Sequence, residues 1–422
     1  MSDWDLGIVG GGAAGLAAGI FAAEANPKAR VVVFDGARKV GAKILVAGGG
    51  RCNVTHHKID ARDYNAATRN FVKNVLASFT VDDTIAWLRD MGVELKREPT
   101  GKLFPTTDKA RTVLDALLTR LADRGATLLT EHRVTSIEQA DDSFVVRTPR
   151  GEHQCRRVVL CSGGRSLPRT GSDGGGYVLA RTLGHTVGGT HEALVSMTLQ
   201  QHFFHGDLAG ISHEAEITTT ADGKPVDRRR GSLLWTHFGV SGPLAMDASR
   251  HWLANKAAGR EVKWYLNLLP DETFESVEAT LLHMAEKTPK LPLRSTLKQW
   301  STAESDSRSP LPEKVSEAVL WQTGVDDKTP LAQVRRDDRR KLVHALTNLE
   351  LPVEQARGWN HAEVTAGGVP LSEVAWKTMS SRVTSGLHLA GEILDVDGRI
   401  GGFNFQWAWA TGFLAGRAGV SA

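Results

Sequence analysis

Cysteine is scarce in this 422-residue chain: Cys52, Cys155 and Cys161 are the only three, and no two form a Cys-x-x-Cys pair. That excludes a disulfide framework and a dithiol redox centre, and fits a reducing, cytoplasmic setting. A large charge surplus is also missing. Lys and Arg number 51 against 48 Asp and Glu, a net of +3, which gives no argument for a nucleic-acid partner. No apolar run is long enough to span a bilayer, so no membrane partner is expected. The apolar stretch from Leu6 to Ala23 is preceded by Asp3 and Asp5 and by no Lys or Arg, so it lacks the charged start of a signal peptide. No internal repeat is visible. What is present is a globular composition, 41% hydrophobic and 23% charged, at a length that suits two or three domains. The 43 glycines are clustered, which points to places where backbone must approach something closely.

The first 35 residues read as strand, glycine turn, helix and strand. Leu6 to Val9 is a short apolar run, Leu16 to Ala25 is alanine-rich and closed by Pro27, and Val31 to Phe34 is a second apolar strand ending at Asp35. Residues 110–124 carry Val113, Leu114, Leu117, Leu118 and Leu121 on one helical face. Strands are expected near 126–130, 144–148 and 157–161. From about residue 190 the texture changes: 213–220 alternates as a strand does, and 263–268 is β-prone. Residues 271–350 are helix-like, broken by a Ser- and Pro-rich connector from Ser301 to Pro312. The last 60 residues return to the early style, with a strand at 386–391 and a glycine turn at Gly401 and Gly402 that opens a helix to about Ala418. The simplest architecture is one α/β domain built from both ends of the chain around an inserted β-plus-helix region.

Gly10-x-Gly12-x-x-Gly15 sits between a strand and a helix. The first glycine permits the tight turn, the second lets the backbone approach a pyrophosphate, and the third lets helix and strand pack closely. Free N–H groups at the helix start then face the phosphates. Asp35, twenty residues past Gly15, stands where a carboxylate binds ribose hydroxyls. The fingerprint alone does not separate FAD from NAD.

Six further blocks are specific: 7–16, 41–55 with Arg51-Cys52-Asn53, 160–165 with Ser162-Gly163-Gly164, 236–243, 391–398 and 401–412. In this order, and spread over nearly the whole chain, they resemble the aminoacetone-oxidase-type family of bacterial FAD-binding proteins, described as NAD(P)/FAD-dependent oxidoreductases. One departure is Cys161-Ser162, where such proteins commonly carry Ala-Thr. The resemblance implies a Rossmann-like FAD-binding domain from residues 1–189 and 358–422, an inserted β-barrel-like unit (190–268) and a helical unit (269–357). It places Gly10, Gly12, Ala13, Ala14 and Gly15 at the pyrophosphate and Asp35 at the adenosine ribose. Lys43 and Arg51, Cys52 and Asn53 fall near the phosphates, ribityl chain or flavin. Val134 meets the adenine through its backbone, and Ser162, Gly163 and Gly164 form the second strand–turn contact. Gly391 and Glu392 lie near the ribityl or pyrophosphate, and Gly402, Phe403 and Asn404 at the flavin.

Two glycines at a helix start present N–H donors and the positive end of the helix dipole, which would stabilise a reduced flavin. Trp407 and Trp409 on that helix are expected to pack. Cys52 has no partner thiol at short spacing and reads as a small residue filling a tight turn, not as a nucleophile. His237 is either a substrate-facing acid or base or a histidine satisfied within a turn. His202 and His205 lack a third convergent ligand, so no metal is expected. Arg228 to Arg230 and the charged run 335–341 read as solvated faces. The expected function is transfer of a hydride between flavin and a small organic substrate, either amine oxidation or reduction of a conjugated double bond. NAD(P)H or dioxygen completes the cycle, and the chain has no second strand-linked Gly-x-Gly-x-x-Gly for a nicotinamide domain. The alternative is an FAD-dependent RNA-modifying or RNA-binding protein, against which the low charge weighs.

Overall fold

A computed structural model describes residues 3–302 and 311–421. The chain divides into two compact units, one from Met1–His191 with Ala362–Ala422 and the other Glu192–His361.

The first unit is built on parallel strands. β1 (Trp4–Val9) pairs with β2 (Val31–Phe34) on one side and β4 (Gly151–Leu160) on the other. β3 (Thr127–Leu129) extends the sheet beyond β2, and β5 (Leu387–Leu389) extends it beyond β4. The order β3-β2-β1-β4-β5 therefore takes its last strand from the far end of the chain. Val31, Val32, Val33 and Phe34 are all buried, as expected of a strand covered on both faces. The residues carrying the expected site leave the carboxyl ends of these strands, where ligands bind in open parallel sheets: Gly10 after β1, Asp35 after β2, Cys161 and Ser162 after β4, Gly391 after β5.

Helices cover the sheet. α1 (Ala13–Ala25) is nearly all small and apolar and almost wholly buried. α2 (Ala42–Gly50) follows β2, and α3 (Ala110–Asp123) buries Val113, Leu114, Leu117 and Leu121 on one stripe. α4 (Phe403–Gly419) crosses α1 at close range. A Cβ added at Gly412 would stand 2.6 Å from the Ala14 carbonyl oxygen, and one at Gly416 2.2 Å from that of Ala18. Any larger residue at either position would push the helices apart.

In the second unit every pairing in the seven-stranded sheet is antiparallel. One edge strand is Leu349–Leu351, the other Val353–Ala356. Only Pro352 separates them in sequence, so the sheet must curl until its two edges meet. Proline suits that junction because it has no N–H to offer either ladder. The expected boundary at 268/269 therefore does not separate two bodies: the closing strands come from the stretch expected to be helical. The helices are there too, at Phe274–Lys287, Leu293–Thr302, Glu313–Thr323 and Arg336–Thr347. Of the expected connector, Ser301 and Thr302 end a helix and 303–310 lie outside the described residues. Trp235 and Trp264 fill the interior; Trp235 Nε1 donates to His213 Nε2 at 3.0 Å. No helix among the described residues is long and apolar enough to cross a membrane.

Candidate functional site

The turn between β1 and α1 is tight. A Cβ on Gly15 would lie 1.8 Å from the Gly10 carbonyl oxygen, and one on Gly10 2.6 Å from that of Cys161. Gly12 differs, because a Cβ there would meet nothing within 4 Å. Gly12 caps α1 with no side-chain hydrogen bond, and no acidic residue stands in the first turn. The helix thus offers unsatisfied N–H groups to an open space, the arrangement that binds an anion. Asp35 shapes this turn. Its Oδ2 accepts from the Gly11 amide at 2.7 Å and its Oδ1 from the Ala37 amide at 2.8 Å. A carboxylate has about four acceptor positions, so about two remain open to a ligand's hydroxyls.

After the first turn of α2 the backbone leaves the helix: Gly48, Gly49 and Gly50 have φ of 58°, 69° and 85°. Three consecutive left-handed residues are tolerable only as glycine. Cβ atoms at Gly49 and Gly50 would find open space or only a distant neighbour. Just beyond, Asn53 is buried, and its Oδ1 has no hydrogen-bond partner. The Ser162 hydroxyl, past β4, is likewise buried without one. Unpartnered buried polar atoms beside glycine turns are what a bound cofactor's polar groups would satisfy.

Lys43 on α2 reaches across to the far end of the chain. Its Nζ donates to Glu392 Oε2 at 2.5 Å and to Ser166 Oγ at 2.6 Å. Ser166 Oγ donates in turn to Glu392 Oε1 at 2.8 Å, which also accepts the Thr365 amide at 2.9 Å. Thr365 Oγ1 receives the amides of Arg165 and Ser166. Gly164 lies against this cluster, and Gly391 against Ala14. Ser166 and Thr365 carry no motif signature, and only the Ser-Gly-Gly block before Ser166 hinted at them.

Arg51 turns elsewhere. It pairs with Glu98 at 2.5 Å and lies 4.0 Å from the centre of the Phe104 ring. Cys52 is fully buried with φ 60°, and burial pushes its thiol up to about 12. A protonated, enclosed thiol whose basic neighbours serve carboxylates has no nucleophilic character.

At the start of α4, Gly402 (φ 96°) lies so close to Thr55 that a Cβ would sit 2.5 Å from its carbonyl carbon. The cap again has no side-chain bond and no acidic first turn. Asn404 is committed to the Gly398 backbone: Oδ1 accepts from N at 2.8 Å and Nδ2 donates to O at 3.0 Å. Its side chain thus shapes the loop before the helix. Phe403 stacks on His56 at 5.1 Å, and its carbonyl accepts the Tyr64 hydroxyl at 2.8 Å. Trp407 and Trp409 point inward and donate to the carbonyls of Gly391 and Val54. Gln406 was not anticipated; it is buried and bonded to Thr55, Thr84 and Phe79. Val134 is half-buried against the core of this unit.

The HI0933-like protein Rossmann domain family matches residues 4–418. The chain belongs to that family. It is 32% identical over 413 residues to a 3-dehydro-bile acid delta(4,6)-reductase of Clostridium scindens, covering 98% of both chains. It is 31% identical over 424 residues to a ribosomal RNA dihydrouridine synthase of Escherichia coli, covering 100% of this chain and 99% of the other. A quinol-fumarate reductase structure superposes with a TM-score of 0.50 at 16% identity, covering 99% of this chain and 70% of that one, a likeness of fold. This chain is an FAD-dependent oxidoreductase. The open space at Gly12, the left-handed run Gly48–Gly50 and the unpartnered atoms of Asn53 and Ser162 fit that cofactor.

Proposed function

We propose that this protein reduces a carbon–carbon double bond conjugated with a carbonyl group in a small organic substrate. Of the two chemistries that the aminoacetone-oxidase-type resemblance leaves open, reduction is favoured over amine oxidation. The observation that carries this is the pair of full-length relatives. One is named for reducing delta(4,6) bonds and the other for making dihydrouridine, and both names describe adding two hydrogens across a double bond.

Bound FAD supplies the hydride for such a reduction. The chain's own groups hold and orient it. The uncapped start of α1, with Gly10, Gly12, Ala13, Ala14 and Gly15, takes the pyrophosphate, and Asp35 takes the adenosine ribose. Gly48 to Gly50 let the backbone approach the cofactor, and Asn53 and Ser162 supply hydrogen bonds to it. The Lys43–Glu392–Ser166 cluster fixes the loop after β5 against α2. The start of α4 would offer N–H groups and the positive end of a helix dipole to a bound flavin, which would favour its reduced form. NAD(P)H is the electron source, binding transiently, in a cytoplasmic setting consistent with three free, buried cysteines.

The dihydrouridine synthase relative favours a second reading, action on RNA. Charge distribution weighs against it. Arg228 pairs with Glu216, Arg229 with Asp227, Arg230 with Asp271, Arg335 with Asp338 and Arg339 with Glu278. The arginines expected to form solvated faces are largely matched within the protein, leaving less for phosphates.

The test is anaerobic. FAD-loaded protein reduced with NADPH is mixed separately with a 3-oxo-4,6-diene steroid, simple enones and uridine-containing RNA. Return of the oxidised flavin spectrum with an enone, and saturated product by mass spectrometry, is the expected result. Reoxidation by the RNA alone selects the second reading. Flavin reduction by amines, with no reoxidation by any enone, overturns the proposal.

A further inference from the structure

The glycine run at the end of α2 is the part of the first unit with most freedom to lose. Gly48, Gly49 and Gly50 are consecutive and left-handed, and glycine backbone is the most mobile of all when nothing holds it. The Cys52 amide closes the run by donating to the Ala47 carbonyl at 3.0 Å. A loose binding surface must be ordered when its ligand arrives, and that ordering weakens binding. Stiffness held in advance therefore strengthens it.

A bracket from a neighbouring hairpin supplies it. Phe104, on the strand Lys102–Pro105, packs against the run: a Cβ at Gly48 would lie 2.9 Å from its ring and 3.1 Å from the Asn53 amide nitrogen. The Arg51 guanidinium covers the same ring at 4.0 Å from its centre. That guanidinium also pairs with Glu98 at 2.5 Å and with Asp108 at 3.6 Å. Glu98 follows the strand Leu95–Arg97 and Asp108 lies beyond Lys102–Pro105, so one side chain ties the hairpin at two places. Asp108 is held in turn by Lys96. Its hydrogen bond to Lys96, and the Arg51 charge behind it, keep its carboxyl below the usual range, so the bracket stays ionised at neutral pH. Past the run, the Val54 amide donates to the Leu103 carbonyl at 3.0 Å, and Thr55 registers against Leu103. The buried Asn53, whose Oδ1 has no partner, thus stands between a braced turn and a paired strand.

We propose that Arg51, with Phe104, Glu98 and Asp108, stiffens the glycine run and Asn53 before the cofactor arrives, so that two carboxylates which do not touch FAD set how tightly it is held. Arg51 is then a positioning residue and not a ligand of the FAD phosphates. The inference rests on the reading above that Gly48 to Gly50 and Asn53 meet the cofactor.

The test follows FAD release from the full-length holoenzyme and amide hydrogen exchange, with no turnover required. Glu98→Gln combined with Asp108→Asn removes both charges at nearly constant volume, and both side chains are partly exposed, so the fold should survive. The expected result is FAD release faster by about five- to tenfold, as two lost ion pairs allow. Exchange should quicken across 47–56 and stay unchanged in β1, β2 and β4. Faster exchange in the sheet as well would mean a general loss of stability and overturns the proposal. Charge reversal sharpens the test. Arg51→Glu and Glu98→Arg should each speed release, and together they should restore most of it, because the pair is remade. If Arg51 serves the FAD phosphates instead, freeing it by Glu98→Gln leaves release unchanged or slows it, and the reversed pair is not rescued; either result overturns the proposal. The underlying placement is checked separately by whether FAD protects 47–56 from exchange in the unaltered protein. Without that protection the run does not meet the cofactor and both readings fall; with it, only the bracket is at stake.

Discussion

The two units differ in where their unpartnered polar groups stand. Around the glycine turns of the first, helix N–H groups go uncapped and the Asn53 and Ser162 oxygens have no partners. In the barrel of the second, Arg229, Asp227 and His251 meet one another, and Trp235 is bonded to His213. One region is shaped around something it must bind. The other ties its charged groups to one another, and the polar atoms it buries without partners, among them Thr219 Oγ1, Thr236 Oγ1 and the ring nitrogens of Trp252 and Trp264, belong to the antiparallel sheet and its helices rather than to glycine turns. Stability in the first should therefore depend on ligand, by roughly RT ln(1 + [L]/Kd), while the barrel keeps its own.

The sharpest break of this contrast is at the first turn. Gly12→Val should abolish FAD retention, because a side chain there would enter only the open space proposed for the pyrophosphate. The barrel should remain folded, since nothing in the protein lies within 4 Å of the new Cβ. Cofactor content and hydrogen exchange over 212–267 measure both. Full FAD occupancy in this variant would mean the turn is purely structural. Gly15→Ala provides the control: its Cβ strikes the Gly10 carbonyl, so fold and cofactor should fail together.

Acid should affect both units, through different histidines. Burial holds His388 in the first unit and His251 in the second each at about 4. Between that value and the ordinary ~6.5, an unfolded chain takes up a proton that the folded one refuses, so stability falls as pH drops through this window. The loss is at most about 3 kcal/mol per histidine. Thermal melts from neutral pH down to the lower value should show it. His251→Gln should flatten the pH dependence of exchange in the barrel and leave that of the parallel sheet unchanged.

A smaller effect is expected at Glu392. Its replacement by Ala strands Lys43 and Ser166 and should cost about 1–3 kcal/mol, with weaker FAD binding. Smallest of all, Cys52→Ser should keep FAD and turnover within a few-fold, since a thiol held up to about 12 is neither nucleophile nor redox partner. A loss of several orders of magnitude at normal FAD content would make that thiol catalytic.

Much of the first unit was legible because local rules govern it. The βαβ opening, the apolar stripe from Val113 to Leu121 and the glycine start of α4 each follow from a few neighbouring residues. What each polar side chain commits itself to was not legible. Asp35 binds the Gly11 amide and Asn404 closes on Gly398, yet their spacing reads equally well as cofactor contact. Lys43 and Glu392 meet across 349 residues. The barrel was half hidden for the same reason. Leu349–Ala356 follows a strongly helical stretch, and its role becomes evident only when Leu349–Leu351 pairs with Val262–Asn267 and Val353–Ala356 with Met197–Leu199. Arg228 and Arg230 are exposed, as expected of a solvated face, but their pairing with Glu216 and Asp271 on neighbouring segments could not be assigned from composition.

The close crossing of α1 and α4 also sets an order of events during synthesis. Ala14 and Ala18 emerge early from the ribosome, whereas Gly412 and Gly416, which cover them, emerge only after the whole of 192–361. The barrel's strands are all available by Ala356, so it can close while the parallel sheet still lacks β5 and one of its two crossing helices. The nascent chain must therefore keep the bare apolar face of α1 from other partners until its final segment arrives, and cofactor capture becomes one of the last acts of folding.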